Sequence, residues 1–467
     1  MRRYLTFLLL AIAVSRSPLR AALSAATVFE VRTGGADTNG CGFVATGTDW
    51  SLQNGAQYAV TDAVTAGTTT ITSVAANFGT DVVGNILYIT GGTGAIVADR
   101  YQIITRASST SITVDRSTGL TAGTGATLNI GGACASAAEV AGDAIAGNII
   151  FVKYNASAYS QTSAVANVAA GSITPTSDVL VIGYDTTRTT NNTDANRPTI
   201  RLNVSTANVF GGTGTYTVQN FNIDCNSQTT SRAWFARGLV NRVTVTNCTN
   251  GAFATNGGSI SQVFDATATG CSSVSVFGVG GSAAFDCWYC EAYDNTVTAF
   301  SSLFGCYGCI ADSNSGASSD GFSSVVSLQD SVAYNNGRDG VRNGSSNGQA
   351  YIVNNVISES NTGWGFNMTH TTAYSLLKNV AYFGNGSGAV TNTTAGHAVL
   401  FNSISGGSSF FTNAASGDFS LNNTASAGAS ARNTGYPATF LRGTTSTYLD
   451  VGAARHQDAG PKGGANP

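Results

Sequence analysis

Ala292-Tyr-Asp-Asn295, Ile310-Ala-Asp-Ser-Asn314, Val332-Ala-Tyr-Asn-Asn336 and Val356-Ile-Ser-Glu-Ser-Asn361 repeat one phrase, an apolar anchor followed by a polar turn that reaches asparagine. Outward from this stretch the anchors form a series at Ile223, Val245, Ala268, Ala292, Ile310, Val332, Val356, Val380 and Ile404. The gaps are 22, 23, 24, 18, 22, 24, 24 and 24 residues. Such spacing is too long for a hairpin meander and too glycine-rich for helical hairpins. One short coil per repeat, stacked on the next, satisfies it, and a non-helical solenoid of such coils is a parallel β-helix. Asn295, Asn314, Asn336, Asn361 and Asn385 follow the anchors at a nearly constant offset. Their amides are expected to stack along one turn, where asparagine tolerates left-handed backbone. The anchors fix the inward register only to within one residue, because early coils set their small apolar pairs one place off from later ones.

Composition agrees. The 467 residues include 56 Gly, 6 Pro and 10% charged residues, against ~25% charged in ordinary globular domains. Asn, Ser and Thr supply the polarity, and the helix formers Leu, Met, Lys and Glu are sparse. A quasi-one-dimensional stack has no ceiling on its length, so one long element with small appendages accounts for the whole chain. The net charge is -3, with no basic run after the N-terminus. A nucleic-acid interface is thereby disfavoured, since phosphate neutralisation needs a clustered basic face.

The sequence divides into five parts. Arg2 and Arg3, the apolar run Tyr4 to Val14 and the small residues Ser24, Ala25 and Ala26 read as a signal peptide over 1–26. The apolar run falls short of the ~20 residues that span a bilayer, so no membrane span is expected and the mature protein belongs outside the cytoplasm: secreted, periplasmic or at the cell surface. Residues 27–58 open the β-helix. Short Thr/Val/Ile alternations between glycines make 59–131 a small antiparallel β insert. The coils occupy 132–416, where the alanine-rich stretch from Cys134 to Asp143 is the best helix and would cap the first coil. A C-terminal cap and tail fill 417–467.

The cysteines give the sharpest local pattern, Cys287-Trp-Tyr-Cys290 and Cys306-Tyr-Gly-Cys309. As a regular expression this is a four-thiolate zinc site. As stacked coils it sets Cys287 over Cys306 and Cys290 over Cys309, and Cys248 over Cys271 likewise. In an exported protein such neighbours become disulfides or buried thiol stacks, and no metal is expected. Cys41 and Cys134 flank the insert, and their pairing would tie its ends together. With nine cysteines in the chain, Cys225 is left unpaired. His370, His397 and His456 show no ligand spacing.

Asp320-Gly-Phe322, Asp339-Gly-Val341 and Trp364-Gly-Phe366 fall at equivalent points of three successive coils. Asp320 and Asp339 would lie about one coil rise apart. Two carboxylates ~5 Å apart can share a proton or a calcium ion, or serve a retaining glycosidase. Arg338 and Arg342 would stand beside them, and Trp364, Phe366 and His370 would offer a substrate surface. Asp before Gly is equally an ordinary turn residue.

Gly417-Asp-Phe-Ser-Leu421, Asp450-Val-Gly-Ala453 and the stretch from Gly183-Tyr184-Asp-Thr-Thr-Arg188 to Arg197-Pro198-Thr199 resemble segments of the secreted right-handed β-helix proteins of bacteria and phages, the pectate-lyase and tailspike superfamily. The resemblance implies an all-β, right-handed parallel β-helix whose last coils those two tail segments close. Its motifs specify fold and not activity. Three readings follow in order. The first is an exported scaffold, extracellular or on the cell surface, that touches a polysaccharide or cell-surface glycan. The second is a polysaccharide lyase or glycoside hydrolase acting at Asp320 and Asp339, needing no cofactor except calcium if it is a lyase. The third is a virion tailspike or fibre; the assembly would be a monomer or a homotrimer.

Overall fold

The computed structural model describes residues 23–44, 46–119, 121–161, 173–205, 208–255, 261–272, 274–279, 285–344, 350–369, 374–392, 398–432 and 451–452. Its central part is a parallel β-helix whose coils each carry three short strands. Sheet I contains Phe253–Thr255, Phe277–Val279, Phe300–Ser301, Phe322–Ser323, Val341–Arg342 and Trp364–Met368. Sheet II contains Ser261–Phe264, Phe285–Trp288, Gly305–Tyr307, Ser327–Gln329 and Tyr351–Asn354. Sheet III contains Thr267–Thr269, Glu291–Tyr293, Ile310–Asp312, Val332–Tyr334 and Ile357–Glu359. Every strand pairs in parallel with its counterpart one coil away, as in Cys287↔Cys306 and Ala292↔Ala311.

In-register stacking turns the interior into columns of like residues. Phe253, Phe277, Phe300 and Phe322 stack face to face inside sheet I, with centroids 4.7, 4.8 and 5.0 Å apart. Val263, Cys287, Cys306, Leu328 and Val353 form the sheet II column. In sheet III the inward column is Val245, Ala268, Ala292, Ala311 and Ala333. The one-residue ambiguity of the anchors is resolved here: Ile310 and Val332 face outward, while Val356 and Val380 point inward from the corner that precedes sheet III.

The corners explain the composition. Between sheets II and III one residue per coil has positive φ: Asp265 at 51°, Tyr289 at 57°, Gly308 at 68°, Asp330 at 49° and Asn355 at 56°. Between sheets III and I the same holds for Gly270, Asp294, Ser313, Asn335 and Ser360. Left-handed backbone favours Gly, Asn and Asp, and a solenoid demands it twice per coil. The ladder asparagines follow these residues rather than occupying the left-handed position. Each Nδ2 donates to the next Oδ1, at 2.9 Å from Asn295 to Asn314, 2.8 Å to Asn336, 2.9 Å to Asn361 and 2.9 Å to Asn385. Each also donates to a carbonyl of the preceding coil, as Asn336 does to Ala311 at 3.1 Å.

Three cysteines fill that corner in earlier coils, and this corrects two expected pairings. Cys225, expected to be free, is disulfide-bonded to Cys248, with Cα atoms 4.9 Å apart. A column of three permits one bond, so Cys271 is a free thiol, and its N–H donates to Asn295 Oδ1 at 2.8 Å. Cys287, Cys290, Cys306 and Cys309 are also buried free thiols rather than disulfides. For Cys287 and Cys306, direct partners in a parallel ladder, the side chains point the same way at the ~4.8 Å strand spacing, beyond the Cβ separation of 3.5–4.5 Å that a disulfide uses. Burial pushes the Cys271 thiol up to about 11 and those of Cys287, Cys290 and Cys306 well above the ordinary range.

The first coil is interrupted by the insert. Val28–Val31 pairs in parallel with Ile149–Lys153, and that strand with Leu180–Tyr184. Between them, Tyr58–Thr65, Thr70–Thr72, Ile86–Thr90, Asp99–Ser108, Ser111–Val114 and Gly123–Ile130 close an antiparallel barrel with its own core. The Cys41–Cys134 disulfide ties its base. Arg100 of the barrel is fully buried and reaches Glu139 at 2.8 Å and Asp143, both on the helix Ala137–Asp143. That helix, N-capped by Ser136, adds Val140 and Ala141 to the solenoid interior beside Leu23 and Phe29, so the first end of the stack is closed. Residues 1–22 of the expected signal peptide lie outside the described residues, and Leu23, within its expected bounds, is packed in this core. Buried Glu30 binds Arg32 at 2.6 Å and Arg188 at 2.8 Å. Arg188 also holds Asp49 at 2.9 Å, which fastens the polar excursion after Tyr184 to the start of the fold.

The described part of the C-terminal segment covers a flank of the stack. Phe411–Asn413 pairs antiparallel with Asp418–Leu421, and Phe411, Phe419, Leu421 and Val451 pack on the outward side of sheet III against Val332, Ile357 and Ala381. Among the described residues no helix is long and apolar enough to cross a membrane.

Asn336→Ala removes the middle of the ladder and leaves the Asn314 amide and the Ala311 carbonyl without their partner. Loss of buried hydrogen bonds of this kind costs about 2–4 kcal/mol in total. A lowered denaturant midpoint with an unchanged far-ultraviolet dichroism spectrum is the expected result.

Candidate functional site

The structure brings Asp320, Asp339 and Arg338 together but spends them on the corner itself. Arg338 clasps Asp320 with both arms, Nε to Oδ1 at 2.6 Å and Nη2 to Oδ2 at 2.5 Å. Asp320 also accepts the Asp339 N–H at 3.3 Å. Asp339 accepts the Trp364 N–H at 2.8 Å and the Asn367 amide at 2.7 Å. Both carboxylates are buried. Burial is the largest influence on the Asp320 carboxyl and raises it despite Arg338, whose own guanidinium is raised by the bond to Asp320. These groups join one coil to the next and present no carboxylate pair to solvent.

The remaining expected site residues disperse. Arg342 lies on the outward side of sheet I, in register between Ser323 and Asn367. Phe366 is fully buried in the interior column with Val341, because alternation along its strand turns it inward, so it offers no substrate surface. Trp364 is half-buried with its ring over Gly388, where a Cβ would meet ring carbon Cζ3 at 2.7 Å. His370 lies outside the described residues. Among the described residues no group of three or more His, Cys, Asp or Glu is placed to hold a metal ion.

A different set emerges on the outward face of sheet II. Strand alternation that sends Cys287 and Cys306 inward sends their neighbours out. One outward column is Phe264, Trp288, Tyr307, Gln329 and Asn354, and the other is Gln262, Asp286, Gly305 and Ser327. Trp288 is stacked between Phe264, at 6.0 Å and 12°, and Tyr307, at 4.1 Å and 19°. Both indole faces are thus covered, and the ring presents its edge.

Three polar atoms on this face lack partners among the described residues, Asn354 Oδ1 and two that stand together on one strand. Asp286 Oδ1 and Trp288 Nε1 are buried without a hydrogen bond, although both residues are only half-buried. Gly305 makes room between the coils: a Cβ there would meet the Tyr307 hydroxyl at 2.7 Å and Asp286 Oδ1 at 2.8 Å. Burial raises the Asp286 carboxyl above its ordinary 3.8, and burial is also the main cause of the raised Tyr307 phenol. Gln329 donates to the Ser327 hydroxyl at 3.1 Å. From Gln262 to Gln329 the face therefore carries a carboxyl, a phenol, a hydroxyl and two amides over four successive coils. The outward columns from Gln262 to Asn354 contain no cation, and Asp286 is their one ionisable acid. The sequence signal for this site is the aromatics interleaved with the cysteines, Trp288 after Cys287 and Tyr307 after Cys306.

No protein-family model matches the sequence, and no curated protein matches it significantly. Solved structures do resemble it. A rhamnogalacturonan lyase aligns at 15% identity over 58% of this chain and 81% of its own, with a TM-score of 0.40. A mannuronan C-5 epimerase A-module from Azotobacter vinelandii aligns at 12% identity over 55% and 86%, with a TM-score of 0.36. A tailspike protein from a Pseudomonas phage aligns at 12% identity over 76% and 64%, with a TM-score of 0.30. Likeness of this extent carries no argument about activity. The class rests on the strand register: the chain is a parallel β-helix protein.

An acid whose folded value is raised holds its proton more tightly in the folded than in the unfolded chain. Its contribution is fully present below pH ~3.8 and is lost as pH rises through the folded value. Asp286→Asn is therefore expected to raise the thermal midpoint at neutral pH and leave it unchanged below pH ~3.8; thermal melts across that range check it, and destabilisation at neutral pH would contradict it.

Proposed function

We propose that this protein is an exported β-helix scaffold that binds a neutral polysaccharide along the outward face of sheet II. The observation that carries the reading is the pair of unpartnered atoms, Asp286 Oδ1 and Trp288 Nε1, at neighbouring outward positions of one strand. Unpaired buried polar groups cost free energy unless something else compensates, and a ligand hydroxyl can both accept from the indole N–H and donate to the carboxyl. Around them, Gln262, Tyr307, Ser327 and Gln329 repeat hydrogen-bonding groups at the coil spacing, which suits a chain of sugar units. The covered indole faces make this recognition by ring edges and polar groups, not by stacking of a sugar on tryptophan.

The charge pattern favours a neutral glycan. Around Asp286 an acidic polysaccharide would meet like charge, the first cation of the outward column being Lys378, in register beyond Asn354, and that repulsion would oppose binding. Export is supported by the disulfides Cys41–Cys134 and Cys225–Cys248, since such bonds persist in oxidising compartments.

Affinity electrophoresis in gels carrying neutral or acidic polysaccharides tests this reading. Retardation by at least one neutral glycan and by none of the acidic ones is expected. Asp286→Ala and Tyr307→Ala should each weaken binding by about 10-fold or more, the loss of one well-made hydrogen bond to a charged or buried group, while Arg342→Ala should not. Preference for acidic glycans, or binding indifferent to both sheet II variants, would overturn it.

A further inference from the structure

Two arginines reach across each other where the polar excursion after Tyr184 meets the coils. Arg197, at the end of the excursion, sends Nη1 into the coil, to the Arg242 carbonyl at 3.1 Å and the Thr244 hydroxyl at 3.4 Å. Arg242, at the corner between sheets II and III, sends Nη2 back into the excursion, to the Thr193 carbonyl at 3.2 Å. Both residues are partly exposed, and Arg242 Nε is buried without a partner. Three hydrogen bonds leave most donors of two guanidinium groups unused.

The pair lacks a counter-ion. Arg32, Arg100, Arg116, Arg188, Arg201 and Arg338 each hold a carboxylate, whereas among the described residues Arg197 and Arg242 make no ion pair. Burial first, and the charge of Arg242 second, hold the Arg197 guanidinium below its ordinary range, with Asp265 acting the other way. Asp265 follows Arg242 one coil on in the same corner column, where it is exposed and bonded to neither arginine. Asp194, in the excursion, is taken up by the N–H groups of Asp185 at 2.6 Å and Thr186 at 3.2 Å. Outside the described residues the sequence holds two acidic side chains, Asp450 and Asp458. Asp450 adjoins Val451 and Gly452, and Gly452 bonds to the Asn355 carbonyl, on a corner about 24 Å along the stack from Arg242.

A strap to carbonyls needs donors, not two like charges side by side, whose repulsion is unfavourable. The corner does not call for arginine either. Arg242 has φ 55°, and the left-handed position takes Asn220 in the coil before and Asp265 in the coil after, residues that such backbone favours. The reason for arginine therefore lies in its side chain. Guanidinium forks match carboxylate and phosphate oxygens. Two adjacent charges select the doubly charged of these, since a phosphate group carries about -1.5 to -2 at neutral pH and offers three acceptor oxygens.

We infer that Arg197 and Arg242 form a binding site for a phosphate group, either free or as the monoester of a small molecule. The site lies beside Asn241, one coil before Gln262, off the columns assigned to the glycan, and it stands or falls independently of that assignment.

Titration calorimetry of the full chain at low salt, with inorganic phosphate and with glycerol phosphate, tests it. Saturable binding of at least one is expected, tightening from about pH 5 to about pH 7.5 as the second phosphate proton, with a pKa of ~6, is lost. Arg197→Gln and Arg242→Gln should each weaken it about 10-fold or more, the loss of a hydrogen bond between charged groups, and Arg342→Gln should leave it unchanged. Asp265→Asn should tighten it, a gain that misfolding cannot imitate. Binding of the ester alone assigns a phosphorylated small molecule, and binding of inorganic phosphate alone assigns the free anion. No binding by the wild type overturns the inference, as does acetate bound as tightly as phosphate. Binding that neither glutamine variant weakens overturns it too. So does binding that appears only in Asp458→Asn, which would make the chain's own tail the anion held by the pair.

Discussion

Parallel, in-register stacking at one coil rise governs this molecule. Each side chain finds its counterpart from the next coil about 4.8 Å away, so a position is stable only if its residue tolerates a copy of itself. Phenylalanine satisfies this by stacking, aliphatics by contact and asparagine by an amide that is donor and acceptor at once. Charges do not satisfy it, because like charges one coil apart repel. The low charge content follows, and ionic groups concentrate where the repeat is broken: at the barrel, the excursion after Tyr184 and the Asp320–Arg338 corner.

The same constraint made the fold readable. A period near 23 residues, the asparagine series and the alternating texture of the insert all reflect positions that must recur. What the anchors could not show was which of two adjacent apolar residues points inward. Ile310-Ala311 and Val332-Ala333 are both apolar pairs, and the choice depends on the C-terminal segment, which gives Val332 an apolar cover on the outside. Cys225, Cys248 and Cys271 are equally spaced, 23 residues apart, so spacing alone does not say which two of the three pair, and the structure joins the first two.

The candidate site was less legible. Asp320 and Asp339 were found as neighbours, but sequence spacing says nothing about which way a carboxylate turns. The bidentate contact with Arg338 and the Trp364 N–H draw both into the wall. Asp286 passed unnoticed because its partners, Gly305, Tyr307 and Ser327, come from two further coils and are brought together only by register. Gly305 matters here as an absence of volume, a role that a single sequence does not reveal.

The fold supplies a rigid, weakly charged rod, and among the described residues two unpaired polar atoms, of Asp286 and Trp288, stand together on one outward strand of sheet II. Protection footprinting with a saturating neutral glycan tests that assignment most directly. Slowed labelling confined to Gln262, Asp286, Trp288, Tyr307 and Gln329 is the predicted result. Protection centred instead on the Asp320–Trp364 corner, with sheet II unchanged, would contradict it.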